Sequence, residues 1–131
     1  FIHEVLKADG APVVWHCSAG KDRAGFAAAI LLRLLGVDQA TVMRDYMASK
    51  EPSLASRKNA LRMLRLFKGD EAADKLAILM GVDEAWLAAA FDEIDRTWGG
   101  FDNYVAKGLQ LDTTQIERLR NNLLVDASAR L

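Results

Sequence analysis

Val13-Val14-Trp15-His16-Cys17-Ser18-Ala19-Gly20-Lys21-Asp22-Arg23-Ala24-Gly25 decides how this chain is read. Val13 to Trp15 is a short continuous apolar run, as expected of a strand covered on both faces. A small polar loop follows. From Gly25 to Leu35 the residues are then almost all apolar, with Arg33 the exception. A helix that is apolar all round packs on several sides, so this one belongs at the centre of the molecule. The order of strand, short loop and helix turns successive backbone N–H groups into one concavity. That concavity lies at the positive end of the helix dipole and is a candidate anion site. The loop carries the only cysteine of the chain, Cys17. A thiol held there has a depressed pKa and becomes a thiolate near neutral pH. Arg23, the sixth residue after it, offers a planar fork matched to two oxygens of a tetrahedral anion. Gly20 allows an unusual backbone angle, and Gly25 allows a close helix approach.

The stretch His16-Cys17-Ser18-Ala19-Gly20-Lys21-Asp22-Arg23 resembles the His-Cys-x5-Arg-(Ser/Thr) signature of the cysteine-dependent protein tyrosine phosphatases. It is most similar to the Gly-Lys-Asp-Arg branch of bacterial and fungal tyrosine and dual-specificity phosphatases, some of which act on phosphoinositides. The closing stretch Trp98-Gly99-Gly100-Phe101-Asp102-Asn103-Tyr104-Val105 and the final helix look similar to that branch too. Ala24 departs from the pattern, because the family usually has Ser or Thr there.

The resemblance implies roles for these residues. Cys17 attacks phosphorus and forms a thiophosphoryl intermediate. Arg23 grips two equatorial oxygens, and Ser18, Ala19, Gly20, Lys21 and Asp22 complete the phosphate cradle with it. Lys21 is associated with extra phosphate charge. Asp22 is associated with protonating the leaving oxygen, a task that other phosphatases give to a distant loop. A local Lys21–Asp22 ion pair is the plainer reading of the same two residues. His16 supports the loop through backbone hydrogen bonds. Ala24 lacks the hydroxyl that would help expel the sulfur in the second step.

Composition narrows the alternatives. At 131 residues the chain is sized for one domain, and 51% hydrophobic residues suffice for a core. A net charge of −1 with interspersed signs argues against nucleic acid or an anionic membrane as the main partner. No apolar run reaches the length of a transmembrane helix, and nothing resembles a signal peptide. One cysteine excludes an internal disulfide framework, and no Cys/His set has zinc-ligand spacing, so neither metal nor cofactor is expected. A reactive thiol points to a reducing compartment, the cytoplasm. A nucleotide-binding loop fails on residues: Asp22 follows Gly20-Lys21 where Ser or Thr is needed, and Trp15 stands where the first glycine belongs.

Outside the loop, the pattern predicts helices. Phe1 to Asp9 is one, with Ile2, Val5 and Leu6 on one face and His3 on the surface. Gly36 stops the central helix, and Asp38 caps the next, about residues 39–49. Pro52 breaks the pattern before a helix over residues 54–67. Its inner face is Leu54, Leu61, Met63, Leu64 and Phe67; its basic face, Arg57, Lys58, Arg62 and Arg65, reads as a solvated helix face, with steering of an anionic substrate the alternative. A helix over residues 71–80 follows. Gly81-Val82-Asp83 then repeats the punctuation of Gly36-Val37-Asp38. Asp83 caps an amphipathic helix with Leu87, Ala90, Phe91, Ile94 and Trp98 at spacings of three and four. Asp92, Glu93 and Asp95 lie on its polar side without a catalytic role. A short helix spans residues 101–107. Asp112 caps the last helix, whose inner stripe is Ile116, Leu119 and Leu123.

One strand among about seven helices leaves a question of backbone accounting, because a lone buried strand cannot pair its own polar groups. The expected fold class is α/β: the mostly helical C-terminal portion, residues 1–131, of a single phosphatase-like domain. Its remaining strands are expected in an N-terminal remainder of the same protein. The expected activity is a phosphomonoesterase acting on phosphorylated protein or phosphoinositide. The alternative is a catalytically weak phosphate- or phosphoinositide-binding module.

Overall fold

A computed structural model of the chain describes residues 1–125, and all regular structure among them is helical. The helices are α1 (Ile2–Ala8), α2 (Asp22–Leu34), α3 (Gln39–Ala48), α4 (Lys50–Ala55), α5 (Lys58–Lys68), α6 (Asp70–Met80), α7 (Glu84–Trp98), α8 (Phe101–Asn103) and α9 (Thr113–Leu123). A π-helical turn, Tyr104–Gly108, follows α8.

The three aspartates expected as caps all cap. Asp38 accepts from the Thr41 N–H at 2.9 Å, and Asp83 from the Ala85 N–H at 2.9 Å. Asp112 accepts from the Gln115 N–H at 2.8 Å, while Gln115 Oε1 accepts from the Asp112 N–H at 3.0 Å, a reciprocal capping box. Each satisfies donors that the first turn of a helix leaves without partners.

The core gathers around α2. Ala29, Ile30, Leu31 and Leu34 of α2 are buried against Val42 and Tyr46 of α3 and Leu87, Phe91 and Ile94 of α7. Ile2, Val5 and Leu6 of α1 and Leu119 of α9 close the other side. Full burial of a side chain such as Leu87 or Leu119 contributes about 1.5–3 kcal/mol. Helix α9 also ties down two ends. Arg118 and Asn122 donate to Asp9, which terminates α1, and Arg120 Nε donates to the Leu34 carbonyl at the end of α2. A cation at a helix C-terminus is favoured by the dipole as well.

Three expectations change. Residues 12–17 form no strand: Val14 is 91% exposed, and no backbone hydrogen bond engages Val13 to His16 among the described residues. A strand is made by its ladder, and no second extended segment here offers one. The helix expected over residues 54–67 is two helices. Pro52 sits in the first turn of α4, where a missing N–H costs nothing, and the chain breaks instead at Arg57, between α4 and α5. Its inner face is also shallower than expected. Leu61 and Leu64 are half-buried against α6, but Met63 and Phe67 are exposed, and α5 buries no residue. The last helix shows the same trend in miniature, with Leu119 buried, Ile116 half-buried and Leu123 exposed.

Candidate active site

Cys17 lies at the end of the irregular segment, and α2 begins five residues later. Between them the chain must turn sharply. Gly20 makes the turn in the left-handed region, at φ +70°, where a side chain would be strained. The turn brings the Gly20 N–H to 3.2 Å from Cys17 Sγ. The Ala24 N–H faces the sulfur as well. Ala24 is the third residue of α2, so its N–H is one that the helix cannot use internally. Backbone N–H groups of Ala24, then Ala19, Gly20 and Lys21, pull the Cys17 thiol from an ordinary 9.0 down to about 7, against the opposing effect of burial. Each N–H hydrogen bond favours the charged form of the sulfur.

The surrounding contacts fix this loop. Trp15 Nε1 donates to the Ala24 carbonyl at 3.2 Å, and the Trp15 ring meets Phe1 with centroids 5.0 Å apart. A Cβ at Gly25 would come within 3.0 Å of the Tyr46 ring, so glycine there lets α2 and α3 approach. Lys21 is buried, and its ammonium donates to both carboxylate oxygens of Asp22 at 2.8 Å. The same ammonium lies 5.4 Å from the centre of the Trp86 ring on α7, a cation–π contact. Lys21, Asp22, Phe26, Tyr46, Leu79 and Trp86 line a cavity of about 380 Å³. Burial first, and then the carboxylates of Asp22 and Asp83, push the Tyr46 phenol above its ordinary pKa.

The structure therefore brings Cys17, Ala19, Gly20, Lys21 and Ala24 around one sulfur. Arg23, in the first turn of α2, and Ser18, beside the cysteine, are exposed, and among the described residues the Arg23 guanidinium makes no ion pair. His16 is exposed and makes no side-chain hydrogen bond among them. The loop is held instead by Trp15 and Lys21. His3 is engaged elsewhere, with Nε2 donating to the Leu109 carbonyl at 2.9 Å. Sequence reasoning missed Trp86 and the indole N–H of Trp15. The available signal for Trp86 was a large aromatic off the inner stripe of an amphipathic helix.

A profile described as the tyrosine phosphatase family matches residues 1–125. This chain belongs to the tyrosine phosphatase family. It is 37% identical over 108 residues to a Cupriavidus necator protein assigned by name to the tyrosine-protein phosphatases, covering 82% of this chain and 38% of that one. It is 31% identical over 134 residues to the triple specificity protein phosphatase PtpB of Mycobacterium tuberculosis, covering 94% of this chain and 48% of that one. A tyrosine-protein phosphatase of Nostoc commune is 51% identical over 41 residues, 31% of this chain and 14% of that one. The chain thus spans less than half the length of these curated relatives. In this family member the sulfur-centred turn leads directly into α2.

Proposed function

We propose that this chain carries the thiolate centre of a phosphatase that hydrolyses phosphomonoesters, protein phosphotyrosine foremost, through a phospho-cysteine intermediate. The observation that carries the reading is the ring of backbone N–H groups around Cys17 Sγ, with the thiol lowered to about 7. The thiolate attacks phosphorus: the S–P bond forms, the P–O bond to the leaving group breaks, and that oxygen takes a proton from Asp22 in its acid form, which Asp22 reaches by taking a proton from solvent and giving up its ion pair with Lys21. Arg23 spans two equatorial oxygens of the transferring group, and the loop N–H groups hold the rest. Water then attacks phosphorus and gives a proton to Asp22. The S–P bond breaks, orthophosphate leaves, and the thiolate returns to its N–H donors.

Phe26, Tyr46 and Trp86 form aromatic walls beside Asp22, which supports a phenolic leaving group. The name of the Mycobacterium tuberculosis relative speaks of triple specificity, so the proposed range includes other phosphomonoesters, phosphoinositides among them. A reducing cytoplasm suits the thiolate, and we place the activity there. The backbone of Val13 to Trp15, unpaired among the described residues, with Val14 exposed, supports a sheet completed by chain preceding Phe1, within one phosphatase-like domain that includes residues 1–131.

Ala24 favours a second reading, a phosphate-binding module with weak turnover, because a side chain without a hydroxyl cannot donate to the departing sulfur. One experiment separates the two. Cys17→Ser should cut phosphotyrosine-peptide turnover by roughly 10⁴-fold or more, the scale of removing a nucleophile, while phosphate still competes at the loop. Wild-type turnover already at the level of the serine variant, with phosphate bound, would establish the module instead.

A further inference from the structure

A cavity of about 260 Å³ opens beside the sulfur-centred loop. Ala19, Gly20 and Lys21 form one wall, and Ser53, Ser56 and Arg57, at the turn from α4 to α5, form the other. The hydroxyl protons on that second wall are already committed. Ser53 Oγ donates to the Met80 carbonyl at 3.0 Å, and Ser56 Oγ to the Ser53 carbonyl at 2.8 Å.

Arg57 is different. It is half-buried, and its Nη1 donates to the Ser53 carbonyl at 3.4 Å and to Ser53 Oγ at 3.3 Å. These long bonds aim the guanidinium without using its other donors, of which the group has five in all. Among the described residues Arg57 makes no ion pair, whereas Arg65, Arg96 and Arg118 each hold a carboxylate. Lys21, the other cation next to the cavity, spends its ammonium on Asp22 and the Trp86 ring. A partly desolvated, oriented and unneutralised guanidinium binds an oxyanion well, and does so bidentately.

We propose that Arg57 is a specificity-determining residue that binds a second oxyanion of the substrate, the carboxylate of an acidic residue flanking the phosphorylated residue of a peptide. The cavity shares its wall with the loop, so the second anion and the phosphate under attack belong to the same substrate molecule. The proposal rests on the phosphatase reading above. It moves the recognition of extra negative charge from Lys21, which is satisfied internally, to the α4–α5 turn.

The test compares two phosphotyrosine peptides, one flanked by alanine and one by glutamate, on the full chain, Arg57→Ala and Arg57→Lys. The wild type should favour the glutamate peptide about 10-fold in kcat/KM, the scale of one charge-assisted hydrogen bond, with the difference in KM. That ratio should collapse in Arg57→Ala, recover in part in Arg57→Lys, and shrink at high salt. A ratio near one in the wild type, or a ratio that survives Arg57→Ala, overturns the proposal. Binding of both peptides to the Cys17→Ser protein gives the same ratio without turnover. Equal binding there overturns the role of Arg57, whereas preferential binding with no wild-type hydrolysis overturns the phosphatase reading and leaves that role standing.

Discussion

Helices α2 and α5 are similar in length and both rich in leucine, yet they end in opposite situations. Helix α2 buries Ala29, Ile30, Leu31 and Leu34 in the core and packs chiefly on α3. Helix α5 buries nothing: it packs on α6, while Leu66 stays 72% exposed and Phe67 75%. Helices α5, α6 and the end of α3–α4 border an open cleft of about 910 Å³ with Leu54, Leu61, Ala73 and Ala77 among its lining. The difference shows that apolar content fixes how much surface an element has to hide. What it hides against is set by its partners. The loop that carries Cys17 is anchored to a helix whose buried residues belong to the core, and the α5–α6 hairpin buries only Ala73.

The sharpest way to break this contrast is a pair of truncations. Leu34→Ala should destabilise the protein by about 2–5 kcal/mol, the usual cost of a core leucine. Leu66→Ala should fall within about 0.5 kcal/mol, as for a surface site. Denaturant midpoints on both variants decide it, and equal losses would mean that the hairpin is as much a part of the core as α2.

A second prediction concerns the thiol. With its pKa lowered from 9.0 to about 7, Cys17 is protonated below that value and ionised above it. The alkylation rate by iodoacetamide should therefore rise through a midpoint near pH 7. Gly20→Ala, which strains the turn and turns its N–H groups from the sulfur, should move that midpoint up, toward 9.0. A wild-type midpoint near 9 would detach the sulfur from its N–H donors.

The smallest effect is expected on the hairpin. Arg65 bridges Asp70 and Asp74 on an exposed surface, and such pairs contribute under about 1 kcal/mol. Arg65→Ala should thus cost little in thermal stability, and less still in high salt. A loss of several kcal/mol would show the hairpin to be held by its charges.

Much of this was legible in the chain because it is local. Asp38, Asp83 and Asp112 cap because a short acid two or three residues before a helix N–H needs nothing else. The cysteine, the glycine at φ +70° and the helix start lie within six residues of one another, so their meeting was readable as well. What sequence could not supply was partnership. Val13 to Trp15 has the composition of a strand but no ladder here. Met63 and Phe67 have helical spacing but no facing surface. Pro52 looked like a break because its cost depends on which turn it occupies. Arg57 read as one of four basic residues on a solvated face, and only the α4–α5 turn sets it beside the loop.

The field around Cys17 Sγ is made by main-chain N–H groups, those of Ala24, Ala19, Gly20 and Lys21. Main chain is common to every residue type except proline. The chemistry of the sulfur is therefore inherited with the shape of the turn, and the side chains at positions 18, 19 and 24 are left free to diverge. A lineage can exchange a hydroxyl for the methyl of Ala24 and keep its reactive sulfur, whereas a change that straightens the turn at Gly20 abolishes it in one step.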